Sequence, residues 1–338
     1  MTEFAIINVP VATVCEAPAL TKDGRTLRSD EGLFGHVVRV LSETDGWAHI
    51  LSHYGYAGYV RVNELLPADE AAARAWLASG LMVVDAGCLD VASAPTVHGA
   101  PIVSLPAGTL LRILPGEAEE GYIPVALPDG RTGFAAANRF EEKRFGEDYL
   151  WRDPAPILEN LRHVAERRET ETGGREDLDF SALLSRWYGG SEEAFRRTLV
   201  STARKYLGVQ YRWGGRSSFG LDCSGLVGVS YLRAGVNIYR DASLVRGYAL
   251  RRLTLDWDEG GAFRLSNITD GALRPGDALY FKGHVAMYIG DGRYIHSTGR
   301  VGDLGVVINS LVPGEPDFRP DLPERLYAAG GLRRPGEY

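Results

Sequence analysis

Three side chains in this chain have the types and settings for nucleophilic catalysis: Cys223, His284 and His296. Cys223 stands between Asp222 and Ser224 at the mouth of "CSGLVGVSYLRAG", an apolar run closed by Gly235. That pattern predicts a helix with the cysteine in its first turn. Unpaired backbone N–H groups and the positive dipole end favour a thiolate there, so the thiol is expected below its ordinary pKa. A cysteine that merely packs as a small hydrophobe usually has apolar neighbours instead.

A nucleophile needs a base, and the base needs an orienter. "GHVAMYIGDGRYIHSTG" offers His284 and His296 on one hairpin. A two-residue Asp-Gly turn would pair Gly290 with Arg293 and put the two histidines on opposite faces. A three-residue loop over Gly290-Asp291-Gly292 pairs Ala286 with His296 and puts both imidazoles on one face as diagonal neighbours. Val285, Met287 and Ile289 then fill the opposite, core face. The glycines permit this loop without compelling it. "WGGRSSFG" has no strand before it in a nucleotide-binding arrangement, so it reads as a loop shaping the approach to Cys223. Asp277 in "RPGDALYF" reads as the cap of a turn before its strand.

Positioning these residues falls to the elements around them. Ser191 to Gly208, "SEEAFRRTLVSTARKYLG", is a helix with Ser191 as N-cap and Gly208 as stop. After the cysteine helix come the strands "DALYF", "HVAMYIG", "RYIHS" and "VVINSL", an α+β order. Upstream, Phe4 to Pro67 alternates short Val/Ile/Tyr runs with turns, which predicts a small antiparallel barrel. The alanine-rich "ADEAAARAWLASG" predicts a linking helix, and the stretch to Phe140 repeats the barrel pattern as a degenerate duplication of about 60 residues. Asp153 to Tyr188, with "ETETGGREDLD" inside it, reads as a partly helical connector.

The 338 residues suggest two or three domains. Hydrophobic content of 45% with 24% charge is globular. A net charge of -7 without a Lys/Arg block argues against nucleic-acid binding. The three cysteines, Cys15, Cys88 and Cys223, show neither disulfide-framework nor zinc-ligand spacing, so no metal or cofactor is expected. No apolar stretch approaches the about 20 residues of a membrane span. The first residues read as a strand rather than a signal peptide, so a cytoplasmic protein is expected.

"YRWGGRSSFGLDCSGLV", "LRPGDALYF", "HVAMYIGDGRYIHS" and "VVINSL", in that order, resemble the NlpC/P60 family of cysteine peptidases. The resemblance implies a papain-like α+β domain over 191–338, with Cys223 as nucleophile, His284 as base and His296 as orienter. The front of the chain resembles bacterial SH3 (SH3b) modules: one over 1–67, a linking helix over 68–81, a divergent second module over 82–140, and a helical connector over 141–190. That layout is similar to the γ-D-glutamyl-L-diamino acid endopeptidases that recycle murein peptides. It implies cleavage after D-Glu of a murein tripeptide or tetrapeptide, L-Ala-γ-D-Glu-L-Lys or its diaminopimelate counterpart, with a free L-Ala amine. By position, Glu31, Tyr56 and Asp222 would bind that amine. Tyr211 would lie near the oxyanion, and Ser224 and Ser243 would line the D-Glu subsite. Relatives often carry a glutamine shortly after that serine, where this chain has Val245 and Arg246. Rival readings are a secreted hydrolase of intact stem peptides with SH3b wall anchors, a non-catalytic SH3b scaffold, and acyl transfer on the same triad.

Overall fold

The computed structural model describes residues 3–18, 27–167 and 178–334. Most of "ETETGGREDLD" lies outside the described residues. The chain divides into two compact units. One gathers residues 1–143, 147–158 and 213–219; the other gathers 144–146, 159–212 and 220–338. The loop 213–219, which the sequence places in the peptidase region, therefore belongs with the N-terminal unit.

The N-terminal unit holds two all-β sheets. The first is built from β1 (Phe4–Ile7), β2 (Val11–Cys15), β3 (Arg28–Leu33), β4 (Val37–Thr44), β5 (Trp47–Ser52), β6 (Ala57–Arg61) and β7 (Leu65–Ala68), in the spatial order β3-β2-β6-β5-β4-β1-β7. Helix α1 (Glu70–Leu77) follows, where the alanine-rich run predicts it; the Asp69 carboxylate accepts the Ala72 N–H at 2.7 Å to cap it. The second sheet takes β8 (Leu81–Val84), β9 (Cys88–Ala92), β10 (Pro101–Pro106), β11 (Leu110–Ile113), β12 (Tyr122–Ala126), β13 (Thr132–Ala136) and β14 (Phe140–Glu142), ordered β10-β9-β13-β12-β11-β8-β14. Strand for strand this is the order of the first sheet, so the duplication in the sequence extends to topology. Alternating apolar residues give each sheet its own core: Ile7, Val14, Ile50 and Val60 in one, Val84, Val91, Leu105 and Val125 in the other.

The two sheets touch through Gly35. Its φ of +81° is left-handed, and a Cβ there would collide with the Leu110 carbonyl. Beside it, His36 Nε2 lies 2.8 Å from the Gly108 carbonyl. A carbonyl only accepts, so Nε2 carries the proton and Nδ1 accepts from His53 Nε2 at 2.9 Å. Burial lowers the His36 pKa to about 3, which keeps this imidazole neutral.

Helix α2 (Pro154–Arg167) is divided between the two units after Leu158, and α3 (Phe180–Tyr188) and α4 (Glu192–Arg204) belong to the second. Ser191 caps α4 as expected, its hydroxyl accepting the Ala194 N–H at 3.1 Å. After β15 (Arg216–Ser217, in the N-terminal unit) and β16 (Gly220–Leu221) comes α5 (Cys223–Arg233), buried along most of its length and ended at Gly235, φ +94°. It lies against β19 and β20 of a six-stranded sheet formed by β17 (Arg251–Arg252), β18 (Ala278–Phe281), β19 (His284–Gly290), β20 (Arg293–Thr298), β21 (Gly305–Ser310) and β22 (Leu326–Gly331), ordered β17-β22-β18-β19-β20-β21. This is the α+β arrangement expected. Asp277 does close a turn, accepting the Arg274 N–H at 2.8 Å, but it also pairs with Arg196 at 3.1 Å and Arg333 at 2.6 Å. A fully buried carboxylate requires such partners, and they tie α4 and the chain end to the sheet.

Candidate active site

The mouth of α5 is set by Asp222. Its backbone is extended (φ -88°, ψ -179°) and its Oδ1 accepts the Gly225 N–H at 2.6 Å. Arg240 grips the same carboxylate with two nitrogens, Nη1 to Oδ1 at 3.1 Å and Nη2 to Oδ2 at 2.9 Å, and donates to the Ser224 hydroxyl at 2.7 Å. Ser224 in turn donates to Asp222 Oδ1 at 3.1 Å. Such a bidentate, buried pair is geometrically rigid, so it holds the first turn in place. Asp222 is therefore a charge-compensated cap rather than a bare carboxylate awaiting an ammonium. Cys223 is the next residue, and its sulfur is hydrogen-bonded by the backbone of Val285 and Ser224. The Val285 contact brings the cysteine beside the strand that His284 begins.

The histidines meet as expected, but by a different turn. Gly290 pairs with Arg293 across a two-residue Asp291-Gly292 turn, both residues at positive φ (52° and 71°). On its own that turn would separate the imidazoles. A bulge at Ile289 restores the register, so that Met287 faces Ile295 and His296 falls opposite Ala286. The extra residue that the sequence assigns to the loop is in the strand instead. Both faces of β19 are buried: Ala286 and Tyr288 join a core cluster, whereas Ile289, expected in the core, is only half-buried.

His284 Nε2 lies 2.7 Å from His296 Nδ1, and His296 Nε2 lies 2.9 Å from Asn309 Oδ1 on β21. His296 pairs with Val307, so Asn309 is its diagonal neighbour, as His284 is on the other side. Three polar residues thus step across three adjacent strands. The Asn309 amide nitrogen donates to the Asp317 carbonyl at 2.9 Å, which leaves Oδ1 to accept. His296 then carries its proton on Nε2 and accepts at Nδ1, so His284 donates from Nε2. The free lone pair of His284 is at Nδ1, ready to take a proton.

Burial lowers His284 to about 3, helped by His296, Arg319 and Arg325, and lowers His296 to about 4 against the opposing bond from Asn309. Burial also pushes the Cys223 thiol up to about 11; Asp222 adds to this, while the backbone donors and Arg240 oppose it. The expectation of a depressed thiol is thus reversed. Helix-mouth donors are present, but desolvation of the sulfur outweighs them. The thiol and the imidazole are therefore both neutral in the free protein. Iodoacetamide labelling of the free enzyme should show Cys223 rising only in the alkaline range, behind exposed Cys88 at neutral pH. A plateau in Cys223 labelling near neutrality would instead mean a preformed thiolate–imidazolium pair.

Tyr211 sits half-buried with its ring against Gly299. Burial and the nearby Cys223 and Asp222 raise its hydroxyl, which stays a donor. Ser243 hydrogen-bonds the Tyr327 hydroxyl. Val245, where the resemblance would put a glutamine, is buried at 2% exposure, and Arg246 is exposed. Glu31 and Tyr56 belong to the N-terminal unit. Glu31 is fully buried: Oε1 pairs with Arg28 at 3.2 Å, and Oε2 accepts the Arg216 N–H at 3.1 Å and the Ser217 hydroxyl at 3.2 Å. In that unit the Tyr54 hydroxyl bonds Asp30, and its ring lies 3.8 Å under the Arg216 guanidinium. Tyr56 closes the turn to Ser52 through its backbone, with its N–H on the Ser52 hydroxyl at 2.9 Å and its carbonyl accepting the Ser52 N–H at 2.8 Å.

Sequence reasoning misses Asn309 and Arg240. The signal for Asn309 is a lone amide in the apolar strand "VVINSL". Removing it leaves the buried Nε2–H of His296 without its acceptor, which should cost roughly 1–3 kcal/mol, or about five- to a hundredfold in kcat for Asn309→Ala. Asn309→Asp should raise the His296 pKa and move the acid limb of kcat/KM to higher pH. An unmoved limb would detach Asn309 from the proton relay. Among the described residues no group of three or more His, Cys, Asp or Glu side chains is placed to hold a metal ion.

Residues 208–311 match the NlpC/P60 family. The chain is 29% identical over 306 residues to dipeptidyl-peptidase 6 of Lysinibacillus sphaericus, covering 90% of this chain and 91% of that protein. It is 36% identical over 107 residues to a gamma-D-glutamyl-L-lysine dipeptidyl-peptidase of Bacillus cereus, but spans only 27% of that protein's length. Among solved structures, an NlpC/P60 family protein from Bacillus cereus superposes with a TM-score of 0.59 at 22% identity, covering 96% of this chain and 98% of that one. That likeness extends the shared fold to both units.

Proposed function

We propose, starting from the NlpC/P60 cysteine peptidase domain this chain carries, that it hydrolyses the γ-D-Glu–L-diamino acid bond of murein peptides with a free N-terminal L-Ala. The observation that carries the chemistry is the hydrogen-bonded line His284–His296–Asn309 beside a helix-mouth cysteine. The substrate class is supported by the near full-length match to a dipeptidyl-peptidase and by the name of the Bacillus cereus relative. A cytoplasmic role in recycling such peptides belongs to the same reading.

In this reading the Cys223 sulfur attacks the γ-carbonyl carbon as its proton passes to His284 Nδ1. The new oxyanion takes hydrogen bonds from the Cys223 backbone N–H at the start of α5 and from the Tyr211 hydroxyl. His284 then gives its proton to the departing amine, the C–N bond breaks, and a thioester remains. Water, deprotonated by His284, attacks the thioester; the thiolate leaves and recovers the proton. His296 and Asn309 keep the His284 ring in the tautomer that has Nδ1 free, and they stabilise the transient imidazolium.

Three substrates test the proposal: L-Ala-γ-D-Glu-L-Lys, its N-acetylated copy, and intact sacculi. The expected result is release of L-lysine from the free tripeptide and little action on the other two. Comparable turnover of sacculi would replace it with a wall hydrolase.

A further inference from the structure

The second sheet of the N-terminal unit carries an open groove of about 340 Å³, far along the chain from the residues discussed above. Leu89 and Ala92 are buried beneath it, exposed Val97 gives it an apolar edge, and Tyr122, Thr96 and Arg139 stand around it with polar groups. The Arg139 guanidinium and the hydroxyls of Tyr122 and Thr96 make no hydrogen bond or ion pair with any described residue. An arginine with an unused fork beside two unused hydroxyls is a ready acceptor site for a carboxylate. The lining holds one other charged side chain, Asp90, which already takes the Ser104 hydroxyl at 2.5 Å.

One positive and one negative group in the same groove suit a ligand that carries both signs. A phosphate would be repelled by Asp90 and would make no use of exposed Val97. The volume lies near the lower end of the about 300–1,000 Å³ typical of small-ligand pockets, enough for a molecule of dipeptide size. We propose that this groove binds a short zwitterionic peptide, with its terminal carboxylate on Arg139 and Tyr122, its amine or amide N–H toward Asp90, and a side chain against Val97. None of the lining residues is among the proposed catalytic residues, and the proposal does not depend on the activity proposed for them.

Cys88, exposed on the wall of the groove, reports its occupancy. Iodoacetamide labelling of the full chain, read at each cysteine by peptide mass, should slow severalfold at Cys88 in the presence of ~10 mM Ala-Ala, for a site of millimolar affinity. The C-terminal amide of the same dipeptide should give little protection. Arg139→Gln and Tyr122→Phe should both remove it, while Arg139→Lys, which keeps the charge without the fork, should retain part. Neither Arg139 nor Tyr122 bonds another described side chain, so these variants leave the fold intact. An unchanged Cys88 rate with the dipeptide, equal protection by the amide, or protection that survives Arg139→Gln would overturn the proposal. Labelling at Cys223 and peptide hydrolysis are read separately, so failure here leaves the peptidase reading untouched.

Discussion

Cys223→Ala should leave no measurable hydrolysis, a loss of roughly 10⁴–10⁶-fold in kcat, with the fold retained. In the proposed mechanism the side chain supplies the only protein atom that bonds to the substrate carbon, and the first turn of α5 is held by Asp222, Arg240 and Ser224 without it. His284→Ala should fall almost as far, because the thiol is raised to about 11 and cannot ionise near neutrality without a base at hand. With Cys88 labelling as an internal standard, the His284 variant should also lose whatever alkaline reactivity Cys223 gains from proton transfer to the ring. Turnover by His284→Ala near that of the unmodified enzyme would show that another group takes the proton. His296→Ala should lie between, since packing or water can replace part of an orienter's work.

Glu31→Gln has the second large effect, and its form discriminates between two roles. If Glu31 reads the substrate amine, the loss should fall on free tripeptide and spare an N-acetylated one, which never makes that contact. The contacts of Glu31 favour the other outcome. Both oxygens are already engaged, by Arg28, the Arg216 N–H and the Ser217 hydroxyl. Neutralising it leaves Arg28 without its counter-charge and replaces an acceptor oxygen by an N–H₂ group that faces donors. Arg28 is partly exposed, so the cost lies mainly in the donors left facing the altered side chain, roughly 1–3 kcal/mol. The expected result is a lower unfolding midpoint and an equal fractional loss of kcat/KM on both substrates. A loss confined to the free amine, with the melting temperature unchanged, would return Glu31 to substrate recognition.

Features that depend on neighbours along the chain are legible in the sequence alone. Asp222 capping a helix that runs to Gly235 is local, as is Ser191 capping α4. The repeated strand-and-turn pattern ahead of Phe140 is also local, and it becomes two sheets of identical strand order. Placing both histidines on one face follows from the period of two along a strand, although the turn that joins them is one residue shorter than the pattern suggests. A bulge and a longer loop insert the same extra residue, and periodicity does not distinguish them.

What the sequence leaves open depends on partners distant along the chain. Asn309 completes the histidine line only because β21 pairs with β20 in one register, and a one-residue slip would turn it to the other face. Arg240 neutralises Asp222 across 18 positions, and Arg216 meets Glu31 across 185, with nothing local to mark either pairing. The sign of the Cys223 shift is decided the same way. Helix-mouth donors are written in the sequence, whereas the desolvation that outweighs them is a sum over atoms brought in by the whole fold. Residue types and local spacing therefore single out the groups suited to the chemistry, and tertiary packing decided their charge states, their third partner and what the buried carboxylates hold.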